Sequence, residues 1–172
     1  MTPLPALLTR ATTAVVAWRL DAARHVATWD SGVGAELVGG RWNPKGVKTV
    51  YCSLDPATTI LESAVHRGFM VLDTQPFFLT AMELVDVANV RIVDPSEVEA
   101  INPAWLHGGV PSAGQQAWGA ALAAAHDFVV LPSVVSKSSW NLIFRPDRAA
   151  GKYARLDAER LVLDTRLNPP AP

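Results

Sequence analysis

The 172-residue sequence holds a single cysteine, Cys52, which excludes an internal disulfide and any cysteine-clustered zinc site and fits a reducing cytosol. It has no surplus of charge: 15 Lys+Arg against 16 Asp+Glu leave a formal −1. The general electrostatic pull on which non-specific nucleic-acid binders depend is therefore missing, and no direct nucleic-acid binding is expected. Long apolar runs are also lacking. The longest, Ala11 to Trp18 and Ala117 to Ala125, are too short and too mixed to span a bilayer. The N-terminus, broken by Pro3, Pro5 and Arg10, has neither the basic start nor the small-residue cleavage site of a secretory signal, so the expected location is cytoplasmic. The four histidines, His25, His66, His107 and His126, match no metal motif by spacing, and no acidic cluster supplies an oxygen site. No metal is expected.

What is present is apolar content: 49% hydrophobic residues against 18% charged, enough for one compact domain with a substantial core. Val15 to Leu20 reads as a short buried strand with Arg19 as its charged intruder. From Trp29 to Gly46, five glycines and Asn43-Pro44 predict a long structured loop with no regular element. Val47 to Ser53 alternates as a strand. Asp55-Pro56 starts a helix that ends at Gly68, with Asp55 capping free N–H groups and Pro56 in the first turn. Further expectations are strands over Phe77 to Val87, Asp127 to Val135 and Arg160 to Asp164, a capping box at Asp94 to Glu97, and an alanine-rich helix over Gln115 to His126. Strands and helices interspersed without regular βαβ units predict an α+β domain over residues 1–166, with 167–172 as a frayed tail.

Several motifs fail on inspection. Gly32-Val33-Gly34 opens like a dinucleotide fingerprint, but Leu37 stands where the third glycine belongs. No Walker lysine follows Gly39-Gly40, and Ser31 is not set in a nucleophile elbow. What remains is Arg41 behind two glycines, Tyr51 in the next strand, Glu62 in the following helix and the strand-breaking Pro132-Ser133. Arg41 offers the rigid donor fork that suits phosphate or carboxylate, and a turn with a surface arginine fits the same residues. At ~100° per residue, Ala57, Ile60, Leu61, Ala64 and Val65 share one helix arc, which places Glu62 on the border with Thr58 and His66. There it either faces a cleft or is an ordinary solvated glutamate. Tyr51 suits strand packing as well as a site, and Ser133 a plain strand end as well as a pocket.

Trp18-Arg19, Ser31-Gly32-Val33-Gly34-Ala35, Gly39-Gly40-Arg41-Trp42-Asn43-Pro44, Gly46, Tyr51-Cys52-Ser53, Leu61-Glu62 and Pro132-Ser133 follow in the order and approximate spacing of the RES-domain family. The resemblance covers about Trp18 to Pro146 and departs where Arg145-Pro146 replaces a common Asn-Pro. It implies a fold similar to that of ADP-ribosyltransferases, with central mixed or antiparallel sheets flanked by helices. It also implies the toxin of a bacterial type II toxin–antitoxin pair with NAD as substrate, cleaved at the nicotinamide–ribose bond with water or phosphate as acceptor. In some members the acceptor is a protein, and a catalytically inactive NAD-binding module is a further alternative. By motif position the resemblance assigns Arg41, Tyr51 and Glu62 to catalysis, and Arg19, Arg41, Tyr51 and Ser133 to holding the dinucleotide. The implied partner is an antitoxin with an Xre-like helix-turn-helix that covers the cleft.

Overall fold

The computed structural model describes residues 14–107, 109 and 111–167; the apolar N-terminal start and nearly all of the expected tail lie outside them. Seven strands, β1 (Val15–Ala22), β2 (Val50–Ser53), β3 (Phe77–Leu84), β4 (Val90–Ile92), β5 (Phe128–Pro132), β6 (Trp140–Phe144) and β7 (Tyr153–Arg160), form one mixed sheet. The helices are α1 (Val33–Val38), α2 (Pro56–Arg67), α3 (Phe69–Thr74), α4 (Pro95–Ile101) and α5 (Ala113–Ala125). The strand order is β4-β5-β6-β2-β1-β3-β7. All neighbours are antiparallel except β4 and β5, and β1 meets β2 at a single register pair, Trp18 opposite Ser53.

That thin junction lets the sheet bend. Tyr153 on β7 and Phe128 on β5 are five strands apart, about 24 Å in a flat sheet, yet their rings lie 6.4 Å apart, and Tyr153 is 4.9 Å from Phe144. The sheet curls until one face closes on itself. Its inner core joins Ala17, Met82 and Leu84 to Val50, Cys52, Phe128, Val130, Leu142 and Phe144. Because side chains alternate along a strand, the remaining positions face outward and need separate cover. Val129, Leu131 and Ile143 pack with Val93, Val98, Trp105, Ala123 and Trp42, which come from α4, α5 and nearby loops. Leu20, Ala22, Phe77 and Leu79 pack with Ala64 and Leu72 on α2 and α3.

The helix starts follow their local signals. Asp55 accepts from the Thr58 backbone N–H at 2.7 Å with Pro56 behind it, and Asp94 and Glu97 form a reciprocal capping box. In α5, a Cβ on Gly119 would lie 2.6 Å from the Trp42 carbonyl oxygen, so glycine is what lets the Trp42 segment lie against the helix.

Other expectations need correction. The Trp29 to Gly46 segment contains α1, because Gly32 and Gly39, with φ of 67° and 77°, form its ends instead of breaking it. β2 starts at Val50, β3 stops at Leu84, and the last strand runs over Tyr153–Arg160. Leu161 and Leu163 pack against the cluster around Leu20 and Phe77 as irregular chain beyond β7. β4, β6 and α3 were not anticipated. Helix α2 is rotated from its predicted arc: it buries Thr58, Thr59 and Ala64 and leaves Leu61 and Val65 40% and 67% exposed. Among the described residues, no helix is long and apolar enough to cross a membrane.

Candidate active site

The rotation of α2 turns Glu62 toward the end of the sheet. Its Oε1 accepts from Ser133 Oγ at 2.8 Å and from Asn141 Nδ2 at 2.5 Å, and among the described residues Oε2 has no hydrogen-bond partner. Ser133 stands where β5 ends. Its hydroxyl also accepts from the Ser136 N–H at 3.2 Å, and its own N–H donates to the Ser139 carbonyl, which closes the turn between β5 and β6. Asn141 lies on β6 directly opposite Ser53 of β2, whose hydroxyl donates to Asn141 Oδ1 at 2.8 Å. Three strands and one helix thus converge on one carboxylate.

Two residues along β2 from Ser53, on the same outward face and about 7 Å away, Tyr51 anchors the Arg41 loop. Its hydroxyl donates to Asn43 Oδ1 at 2.6 Å and accepts from the Trp42 N–H at 3.0 Å. Burial pushes this phenol well above its ordinary range, against the lowering effects of the Trp42 N–H and the Arg41 charge, so it stays protonated. Asn43, fully buried, spends its amide on the carbonyls of Ala35, Pro44 and Val47. Gly40 is required here because a Cβ would lie 2.5 Å from Tyr51 Oη. Gln116 on α5 holds the Gly40 carbonyl at 2.8 Å.

The loop built this way carries Arg41, which makes one hydrogen bond, to the Trp105 carbonyl at 3.2 Å, and no ion pair among the described residues. A half-buried guanidinium without a counter-ion among the described residues has donors left over for an anion. Arg19 is placed differently. By strand alternation it shares the inner face of β1 with Ala17. Its Nε and Nη2 grip Asp21 at 2.9 and 2.8 Å, and its Nη1 donates to the Tyr51 carbonyl at 3.0 Å. Asp21 is buried, which pushes its carboxyl above the usual range against the opposing Arg19 charge.

The structure therefore ties Glu62 and Ser133 together directly, and ties the Arg41 loop to Tyr51 through the Trp42 backbone N–H and the Asn43 side chain. Arg19 touches this set only at the Tyr51 carbonyl. Sequence reasoning passed over Asn141, Ser53 and the inward role of Asn43. The available signal was alternation, since Asn141 is the polar residue in Trp140–Phe144 on the face of Ile143. A surface hollow of about 190 Å³ lined by Leu72, Asp73, Arg160, Leu161, Val162 and Leu163 shares no residue with this set. No group of three or more His, Cys, Asp or Glu side chains suited to a metal ion occurs among the described residues.

These features define an α+β domain with a curled sheet whose outer face holds an anchored carboxylate and, tied to Tyr51 two residues along β2 from Ser53, a loop bearing an arginine with no ion pair among the described residues. The RES domain model matches residues 16–164, and the chain belongs to that family. It is 26% identical over 154 residues to Toxin Res of Pseudomonas putida strain KT2440, covering 89% of this chain and 99% of that protein. It is 30% identical over 135 residues to the Prs ADP-ribosylating toxin of Sphingobium sp. strain YBL2, covering 75% and 81%. Among solved structures, the crystal structure of the M. tuberculosis MbcT–MbcA toxin–antitoxin complex contains a chain of similar fold. Its TM-score is 0.71 at 21% identity, with 87% of this chain and 85% of that chain covered.

Proposed function

We propose that the protein is the toxin of a toxin–antitoxin pair and consumes NAD by breaking its nicotinamide–ribose bond. The observation that carries this reading is the state of Glu62: among the described residues one oxygen is fixed by two donors and the other has no hydrogen-bond partner, while the loop held by Tyr51 on the same face of the sheet carries an arginine without an ion pair. Breaking the bond builds positive charge on the ribose while neutral nicotinamide departs, so the site needs a fixed anion more than a strong base. Glu62 Oε2 supplies that anion and binds the ribose hydroxyls. Arg41 holds the pyrophosphate with charge-assisted donors. Ser133 orients Glu62, and Tyr51 fixes the Arg41 loop through its hydroxyl while its ring walls the nicotinamide end. Arg19 supports the same strand from behind through the Tyr51 carbonyl. NAD enters as substrate and needs no metal partner, and an Xre-like antitoxin covers the cleft in the cytoplasm.

Support from relatives is of two kinds. Proteins named Toxin Res and a structure of a toxin–antitoxin complex favour the toxin role, and a relative named as an ADP-ribosylating toxin favours NAD as the source of the transferred group. That name also carries the second reading, transfer of ADP-ribose to a protein. Incubating antitoxin-free protein with NAD, with and without phosphate, and identifying the products decides between them. Free ADP-ribose or its phosphorylated form is expected. Label appearing on lysate protein from adenine-tagged NAD would establish transfer instead, and no nicotinamide release at high protein concentration would leave a binding module. Glu62→Gln is expected to stay folded and to lose turnover by about 10²–10³-fold; undiminished NAD consumption by this variant refutes the electrostatic role.

A further inference from the structure

We infer that Asn141, its Oδ1 held by the Ser53 hydroxyl, is a positioning residue that aims the second oxygen of Glu62 at the substrate. The inference rests on the reading of Glu62 given above and deepens it.

The direction of each hydrogen bond follows from its neighbours. A carboxylate oxygen only accepts, so at 2.5 Å from Glu62 Oε1 Asn141 must present Nδ2. Its Oδ1 then faces β2, where Ser53 Oγ lies 2.8 Å away and must donate. Ser133 Oγ, fixed by the Ser136 N–H as acceptor, has its proton left for Glu62. Protons run one way, from β2 through β6 and from the β5 end, onto a single oxygen. Flipping the Asn141 amide would set two acceptors against each other at the Glu62 end, so the accept-only carboxylate fixes the amide direction, and the Ser53 hydroxyl, which can donate or accept, answers with its proton.

The arrangement has a geometric consequence. Glu62 reaches the sheet from the rim of a helix on a side chain with three rotatable bonds, and nothing on α2 itself bonds its carboxylate. One donor would leave the carboxylate plane free to turn about that contact. Two donors on Oε1, from different strands, fix the plane and leave Oε2 directed away from both. Ser133 alone cannot do this. Ser53 is buried and Asn141 partly accessible, and they form the last register pair between two middle strands, so their geometry is set by the backbone ladder rather than by a loop. A carboxylate fixed in this way is what the proposed chemistry requires, since a misplacement of about 1 Å can cost about 10²-fold in rate.

The test measures NAD turnover by the antitoxin-free protein and by Asn141→Ala, Asn141→Asp and Ser53→Ala, together with thermal midpoints and crystal structures of the wild type and Asn141→Asp. Asn141→Asp keeps the shape and removes the donor, so it is expected to lower kcat by about 10–100-fold. KM should stay within about threefold, because Arg41 is untouched. Asn141→Ala should do the same and Ser53→Ala less, about three- to tenfold. In the Asn141→Asp crystal structure the Glu62 carboxylate is expected to turn away from residue 141. Wild-type kcat in Asn141→Asp, a loss confined to KM, or a Glu62 carboxylate unmoved in that structure overturns the inference. Absence of nicotinamide release by the wild type itself sinks the reading of Glu62 as catalytic, and the crystal structures then still decide whether Asn141 positions it. Should both Asn141 variants fail to fold, unchanged kcat in Ser53→Ala would overturn the directional chain.

Discussion

At the scale of single residues, the Arg41 loop is held by polar groups that water cannot replace. Asn43 is fully buried and serves three carbonyls with its amide and the Tyr51 hydroxyl with its oxygen. Removing one partner from such a set leaves the others unpaired in a dry site, at about 1–3 kcal/mol for an unsatisfied group. Asn43→Ala is therefore expected to lower the thermal midpoint by several degrees, at about 2–4 °C per kcal/mol for a chain of this size. Tyr51→Phe separates two roles of one side chain. It keeps the ring and deletes the hydroxyl that ties Trp42 to Asn43, so a stability loss is expected even if the ring alone serves the substrate. Circular-dichroism melts of both variants check this, and an unchanged midpoint in Asn43→Ala would contradict the burial argument.

Among the secondary-structure elements, what could be read from sequence was what is local. Asp55-Pro56 and the Asp94 to Glu97 box announced α2 and α4 because a cap needs only residues within one turn. Asp55→Ala is expected to cost about 1 kcal/mol and to weaken turnover beyond that, since α2 carries Glu62; a urea titration and an NAD assay on one preparation separate the two effects. The rotation of α2 was not legible, because its buried side is polar. Thr59 Oγ1 donates to the Trp18 and Asp55 carbonyls, and Thr58 Oγ1 to Asp55, so hydroxyls satisfied by backbone and cap replace the expected apolar stripe. β7 escaped notice for a related reason. It is an edge strand with mostly exposed side chains and no alternation, while the more apolar Leu161 to Leu163 segment beyond it imitated a strand. Arg41, Tyr51, Glu62 and Ser133 were singled out by residue type and local position, and the family motif supplied their expected roles. Asn141 and Ser53 depend on register between β2 and β6, 88 residues apart in sequence, which no local pattern encodes.

For the whole molecule, the curl of the sheet encloses Cys52 in the core shared by both halves, and this gives the fold a defined alkaline limit. Burial pushes its thiol from an ordinary 9.0 up to about 12, partly opposed by the charge of Arg19. Below pH 9 the thiol is protonated in folded and unfolded chains alike, and it contributes no pH dependence. Above that, the unfolded chain releases the proton and the native chain does not, so the unfolded state binds fewer protons and stability falls as pH rises toward about 12. The full slope is about 1.4 kcal/mol per pH unit. Tyrosines and lysines also titrate in this range, so the measurement is a difference: urea midpoints of the wild type and Cys52→Ala between pH 8 and pH 11. The two stability curves should run parallel below pH 9 and converge above it as the wild type loses its advantage, and native protein should resist alkylation by iodoacetamide until it unfolds. Curves that stay parallel to pH 11 would mean that the thiol ionises in the folded state, and hence that water reaches the space between the two halves of the sheet.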